Sequence, residues 1–485
     1  MDLSGLLMSL VHILIFILVS VLISTVRSGK LRSTLLFCFS VLALYSLQPA
    51  LSLRSFDFWL PTVAIVLAIW VWIATLNHET WVTKENLQSL AVLVASVMIV
   101  IISSYLPKEY RFFVSLPVNL IDVVVSLIFI AIVAWGIWRI KRLKRQVDVV
   151  LILLIITIFL GLKAPNLTRE IARAARQVTG QSPELANALD LNWLGFSYIA
   201  FRLLHVLRDY RNGRLPSMGF KAFLLYVFFF PALSAGPIDR AERFLKDLRD
   251  DRELSLWVQL RFGGSRIAKG LFKKFVLADS LGLVALNAIH IEYVQSRFWL
   301  WILLYLYSFR IYFDFSGYTD IAIGIGSLSG IQLPENFTQP YLQSDIGAFW
   351  NRWHITLAQW FRAYVFNPLT RALRQRSILK SPWLIILLGQ LVTMTLIGLW
   401  HGITWNYFVW GLWHALGLFV HNRWMEYQRG RKLMQKQGVF ITRSRVVLSW
   451  ILTFNFVSVG WVWFSSPDMH TAWATFVKLM GGSLG

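Results

Sequence analysis

Apolar stretches of roughly 17 to 25 residues recur along almost the whole chain, and each is long enough to cross a hydrocarbon core of about 30 Å as a helix. Five fill the first part: Leu3 to Thr25, Thr34 to Leu53, Phe58 to Leu76, Leu87 to Leu106 and Pro117 to Trp138. A sixth runs from Val147 to Leu162, a polar stretch from Lys163 to Asp190 follows as a loop or lid, and a seventh covers Leu191 to Leu207. After Phe220 the apolar stretches shorten, are broken by Gly and Pro, and carry Asp239, Arg240, Asp314 and Asp320. Irregular or charged backbone at membrane depth is tolerated only where protein or a water-filled cavity covers it, which predicts re-entrant segments in this half. Clear spans return at Trp299 to Phe315, Trp383 to Trp400, Asn406 to His421 and Val446 to Phe464. The pattern predicts an all-α, polytopic membrane protein with roughly 11–13 membrane-embedded helices. No short repeat or inverted repeat of the transporter kind is visible.

Composition supports the bilayer as solvent. Of 485 residues, 56% are hydrophobic and 15% charged, too little polar surface to cover a soluble globule. The first run lacks a basic leading segment and a small-residue cleavage site, so it reads as a retained helix. The net charge of +22 would suit a nucleic-acid binder if it lay on one polar domain. It lies instead in short clusters between apolar runs: Arg27, Lys30 and Arg32 after the first span, and Arg139, Lys141, Arg142, Lys144 and Arg145 after the fifth. Both clusters fall on one side by parity, which the positive-inside bias makes cytoplasmic, with the N-terminus outside and no nucleic-acid partner. Arg208, Arg211 and Arg214 agree with this parity. The single cysteine, Cys38, excludes a disulfide framework or a zinc-cysteine cluster within this chain.

Two of the nine histidines sit in informative settings. His354 ends Phe349-Trp350-Asn351-Arg352-Trp353-His354, and His401 lies in Gly398-Leu399-Trp400-His401-Gly402 at the end of an apolar span. An ionisable group at membrane depth is a functional candidate because its insertion is costly. A neutral imidazole can take a proton from a hydroxyl as that oxygen attacks an ester or thioester carbonyl. The competing reading is an imidazole that only bonds a neighbouring carbonyl in a Trp-rich interior. His414 and His421 read as packing or interfacial residues, and His205 as a boundary residue. No Gly-x-Ser-x-Gly elbow appears, and His78-Glu79 is followed by Thr80, Trp81 and Val82 rather than a second zinc-ligating histidine. Histidine-assisted direct transfer is the simplest remaining acyl chemistry, with no metal site.

Ordered blocks then carry a resemblance. They are Phe229-Phe230-Pro231 with Ser234-Ala235-Gly236-Pro237-Ile238-Asp239-Arg240; Gly270-Leu271-Phe272-Lys273-Lys274; Tyr312-Phe313-Asp314-Phe315-Ser316-Gly317-Tyr318-Thr319-Asp320; Pro334-Glu335-Asn336-Phe337 with Pro340-Tyr341; and the His354 and His401 blocks. From about Leu191 to Phe464 the chain resembles the membrane-bound O-acyltransferases, in their bacterial branch acting in alginate O-acetylation and in D-alanyl transfer to teichoic acid. The resemblance implies a ring of helices with re-entrant segments around a central funnel, His401 as the catalytic residue and His354 beside it. It implies Asn351, Arg352, Trp353, Trp400, Asp314, Asp320 and Arg240 as lining or supporting residues, the charged ones either a mutually paired scaffold or substrate ligands. Gly317, Gly324 and Gly326 read as close-packing positions. One departure stands out: Ala363 follows Trp360-Phe361-Arg362 where the family commonly has an aspartate.

The expected organisation is a divergent N-terminal bundle over 1–190, a core over 191–465 and a short tail over 466–485. The expected function is transfer of an activated acyl group, acetyl first, from the cytoplasmic side of a bacterial cell membrane to hydroxyls of a cell-envelope or exported polysaccharide. The donor is an acyl-CoA or acyl-carrier-protein thioester, used as co-substrate with no bound cofactor. Partners are the bilayer, a cytoplasmic acyl-donor carrier, and an extracytoplasmic glycan or partner acyltransferase. D-alanyl transfer to teichoic acid is the alternative in the same chemistry; a transporter or flippase is the alternative of another class.

Overall fold

The computed structural model describes residues 3–482 except 27, 50, 77–81, 140–143, 250–255, 288–290, 292, 295, 377–380 and 431–438. The basic residues Arg27, Lys141 and Arg142 and the His78-Glu79 pair therefore lie outside the described residues. Among the described residues there is no strand. That follows from the solvent: in a hydrocarbon layer backbone groups must be satisfied within the segment, and a helix does this.

Seven helices are long and apolar enough to cross a membrane. They are α1 (Leu3–Ser24), α3 (Phe56–Thr75), α4 (Lys84–Ser104), α5 (Leu120–Arg139), α6 (Lys144–Lys163), α17 (Pro382–His401) and α19 (Val439–Ser465). Others have the length but more polar faces: α2 (Gly29–Ser46), α13 (Arg297–Leu328) and α18 (Trp405–Gly430). With its 32 residues, α13 extends about 48 Å, and it carries Arg310, Asp314 and Asp320 along its length. The chain is a multi-pass membrane protein.

Contacts divide the chain into two compact units: residues 1–267 with 322–334, and 268–321 with 335–485. In the first unit, α2 and α4 begin at Ser28 and Thr83, whose hydroxyls accept the amides of Leu31 and Asn86. The polar stretch after α6 contains a helix, α7 (Pro165–Val178). Its buried residues return at helical spacing, Thr168, Ala172 and Arg176, with Ala172 packed on Leu53 and Leu191, while Leu167 and Ile171 stay exposed. Arg176 Nε donates to Asp190 Oδ2 at 2.6 Å and ties the end of α7 to the turn before α8 (Phe196–Arg211). Burial by itself would raise the Asp190 carboxyl, but hydrogen bonds from Arg176 and the Asn187 amide, together with the Arg176 charge, hold it below its usual value.

Arg202 of α8 is fully buried and donates to the carbonyls of Val227 (2.8 Å) and Ala232 (2.6 Å). Those carbonyls bracket the break where α9 (Phe220–Phe228) stops before Pro231; the guanidinium satisfies acceptors that a continuing helix would have used. Beyond the break, Asp239 pairs with Arg243 of α10 (Ala241–Arg249).

The second unit takes in the end of α11 (Leu256–Leu271) and the short α12 (Asp279–Val284). It also holds three brief helices, α14 (Ile346–Trp350), α15 (Ile355–Phe361) and α16 (Asn367–Gln375), then α17 to α19 and α20 (Met469–Met480). Helices this short do not cross a bilayer, as expected for re-entrant segments. Gly317 of α13 meets Gly270 of α11: a methyl added at Gly270 would lie 2.5 Å from the Gly317 carbonyl. Asp345 caps α14 by accepting the Ala348 amide at 2.7 Å.

Candidate active site

Helix α17 ends at His401 because Gly402 takes an extended conformation and turns the chain into α18. The two helices form an antiparallel hairpin packed backbone to backbone. A methyl at Gly411 would lie 2.6 Å from the Met394 carbonyl, and one at Gly398 would collide with the Tyr407 carbonyl. This close approach sets Trp410 edge-on to His401, with centroids 5.6 Å apart. Trp400, Tyr407 and Phe464 complete an aromatic ring around the half-buried imidazole, at 4.6, 5.8 and 4.8 Å.

His354 arrives from another segment. It occupies the N-cap of α15 with φ 43° and ψ 53°, a left-handed conformation that costs a non-glycine residue roughly 1–2 kcal/mol. Such strain persists only where the surroundings enforce it. Here they do. Asn336, fully buried, presents Oδ1 to His354 Nδ1 (3.2 Å), to the Thr356 amide (3.1 Å) and to the Thr356 hydroxyl (2.9 Å). A backbone amide can only donate, so the Asn336 oxygen is fixed as the acceptor, and the proton on His354 is fixed at Nδ1. Nε2 then carries the lone pair, and it is buried with no hydrogen-bond partner among the described residues. This tautomer leaves Nε2 as a hydrogen-bond acceptor.

Trp400 stands between the two histidines, 5.9 Å from His354 and 4.6 Å from His401 by ring centroids. Phe315 closes on His354 at 4.6 Å. Trp353 is buried against Phe349, Tyr341, Phe337 and Trp461 and is part of the wall. Asn351 and Arg352 are exposed. Asn351 Oδ1 accepts from Arg362 at 2.8 Å, so the guanidinium that lacks an aspartate at position 363 takes a neutral partner instead.

The acidic residues of α13 are paired. Asp320 accepts from Lys273 at 2.7 Å, and Asp314, half exposed, pairs with Lys274. Arg240 lies in the other unit, is exposed, and contributes its amide to Asp239, while Arg243 makes the ion pairs there. Lys273, Lys274 and Asn336 stand within the motif blocks without any local signal of a role. Their roles needed contacts across 40 or more residues for the lysines and across 18 for Asn336.

His414 of α18 packs fully buried between Trp350 and Trp410, and His421 faces Asp345 at 3.4 Å. A cavity of about 510 Å³ is lined by Arg374, His421, Arg423 and Arg429. It lies at the far end of the α17–α18 hairpin from His401, about 24 Å along α18 at 1.5 Å per residue.

A model of the membrane-bound O-acyltransferase family matches residues 58–459. The chain is 32% identical over 295 residues to the teichoic acid D-alanyltransferase of Streptococcus thermophilus, covering 56% of this chain and 70% of that protein. It is 34% identical over 272 residues to the peptidoglycan O-acetyltransferase of Helicobacter pylori, covering 55% of this chain and 47% of that protein. It is also 33% identical over 281 residues to the probable alginate O-acetylase AlgI of Pseudomonas syringae, covering 58% of this chain and 50% of that protein. The chain thus spans about half the length of these two acetylating relatives.

Proposed function

Because the chain belongs to the membrane-bound O-acyltransferase family, and is therefore a multi-pass membrane O-acyltransferase, we propose that it acetylates hydroxyls of a cell-envelope or exported polysaccharide. The donor is a thioester, on CoA or a carrier protein, presented from the cytoplasmic side of the cell membrane. The acceptor is an extracytoplasmic glycan or a partner acyltransferase that passes the group on. The acceptor oxygen attacks the thioester carbonyl while an imidazole takes its proton. The tetrahedral intermediate collapses, the carbon–sulfur bond breaks, and the imidazolium returns the proton to the leaving thiolate.

His401 is the base in this reading, being half-buried and so able to meet substrate. His354 positions the reacting groups across Trp400, with Trp353 as wall. The lysine-paired Asp314 and Asp320 act as scaffold, and Asn351 and Arg352 lie towards the donor. The observation that carries the proposal is the pair of imidazoles flanking one indole, with His354 held by Asn336 in the tautomer that leaves Nε2 as a hydrogen-bond acceptor. The aromatic surroundings of both rings offer apolar surface suited to an uncharged acetyl group. D-alanyl transfer is the second reading, favoured by the larger share of the D-alanyltransferase relative that the chain covers; its ammonium would seek a carboxylate or an aromatic face.

Alkali-labile acyl groups released from envelope glycans and identified by mass spectrometry test both. Cells with the intact chain release acetate, and His401→Ala, inserted at normal level, releases none. Undiminished release from that variant removes His401 from the reaction, and release of alanine replaces the acetyl reading.

A further inference from the structure

The first unit holds a cavity of about 560 Å³ with an almost wholly apolar lining, and none of its lining residues takes part in the acyl chemistry. It exists because of how four helices share partners. Tyr45 of α2, and Trp59 and Trp72 of α3, form its floor, while α4 and α5 stand apart as its two sides. Helix α5 packs on α3 yet has no buried residue, and the cleft between α4 and α5 opens sideways, where Leu90 and Met98 of α4 are 39% and 43% exposed. The α4 wall runs from Asn86 to Ile101, about 22 Å at 1.5 Å per residue. This is most of a hydrocarbon core about 30 Å thick.

We infer that this cleft binds one acyl chain of an anionic phospholipid. A slot that is long, narrow, apolar and open to the bilayer has the shape of an extended hydrocarbon chain, and the surrounding solvent supplies such chains. Charge at its two ends chooses the headgroup. Beside the Asn86 and Trp138 end stand Lys84, Lys221 and Arg139, against the single acid Glu85. Trp135 and Trp138 at that end are the side chains that favour a membrane interface. Beside the opposite end, next to Phe58 and Val123, stand Asp57 and Asp122, with the cation Arg111 on the Ser115 carbonyl beside Asp57. A negative headgroup is therefore drawn to the Lys84–Arg139 end, the side the basic clusters mark as cytoplasmic.

The test uses the full chain purified in mild detergent, exchanged into nanodiscs of phosphatidylglycerol and phosphatidylethanolamine, and read by native mass spectrometry. The protein retains one phospholipid, with phosphatidylglycerol enriched on the order of tenfold by the two net cations at the rim. Ala131→Trp fills the cleft from α5 without touching a buried position, and it loses the retained lipid. Ile132→Trp, one residue on, at a position 61% exposed and outside the lining, keeps it. Lys84→Glu with Arg139→Glu keeps a lipid but loses the preference for phosphatidylglycerol. Equal retention by Ala131→Trp and Ile132→Trp overturns the site, and an unchanged headgroup preference in the double charge variant overturns the anionic assignment.

Discussion

Asn336→Leu is the most informative single change, since it keeps the γ-branched shape and removes the amide with its shared acceptor. Asn336 Oδ1 serves His354 Nδ1, the Thr356 amide and the Thr356 hydroxyl at 3.2, 3.1 and 2.9 Å. Losing a partner for a buried donor costs about 1–3 kcal/mol. The hydroxyl can turn to another acceptor, but the ring nitrogen and the amide cannot, so the variant is destabilised by roughly 2–6 kcal/mol. Chemistry suffers separately. One hydrogen bond worth about 1.4 kcal/mol holds the productive tautomer, so its loss lowers turnover per folded molecule about tenfold. Asn336→Asp retains an acceptor oxygen and the tautomer, and it therefore keeps turnover within a few-fold of the parent. The assay is acyl transfer from a thioester to an acceptor glycan in nanodiscs, normalised to folded protein by size exclusion. Parental turnover in Asn336→Leu, or equal loss in the Leu and Asp variants, refutes tautomer control.

Three further outcomes follow from the same geometry. His354→Asn removes the imidazole while tolerating the left-handed backbone, so melting temperature in detergent stays near that of the parent while transfer falls; a collapse in stability instead would show that the ring is structural. Gly411→Ala drives a methyl against the Met394 carbonyl and the Thr395 backbone. It destabilises by about 1–3 kcal/mol and lowers transfer as Trp410 shifts from His401, and unchanged melting would disprove the close contact. The Asp190 carboxyl is held below its unfolded value of about 3.9, so its contribution is fully present above that pH and is lost as pH falls through the lower folded value. The melting-temperature gap between the parent and Asp190→Asn is therefore flat near neutrality and closes in acid; a gap that widens in acid contradicts the pairing with Arg176.

Periodicity alone was enough to place the long apolar helices, because a bilayer forces each crossing segment to be helical and leaves a run of apolar residues as its mark. Leu3–Ser24, Phe56–Thr75 and Pro382–His401 begin and end within a few residues of the runs that predicted them. Charge clusters between runs and the two Trp-flanked histidines were equally visible, since cost at membrane depth makes such residues conspicuous. Tertiary structure decided what each polar group meets. That Asn336 sets the proton on His354, that Lys273 and Lys274 neutralise Asp320 and Asp314, and that Trp400 stands between the two imidazoles are all contacts between distant segments. No periodic pattern records them, because a hydrogen bond or ion pair depends on where the chain returns and not on the spacing within any one helix.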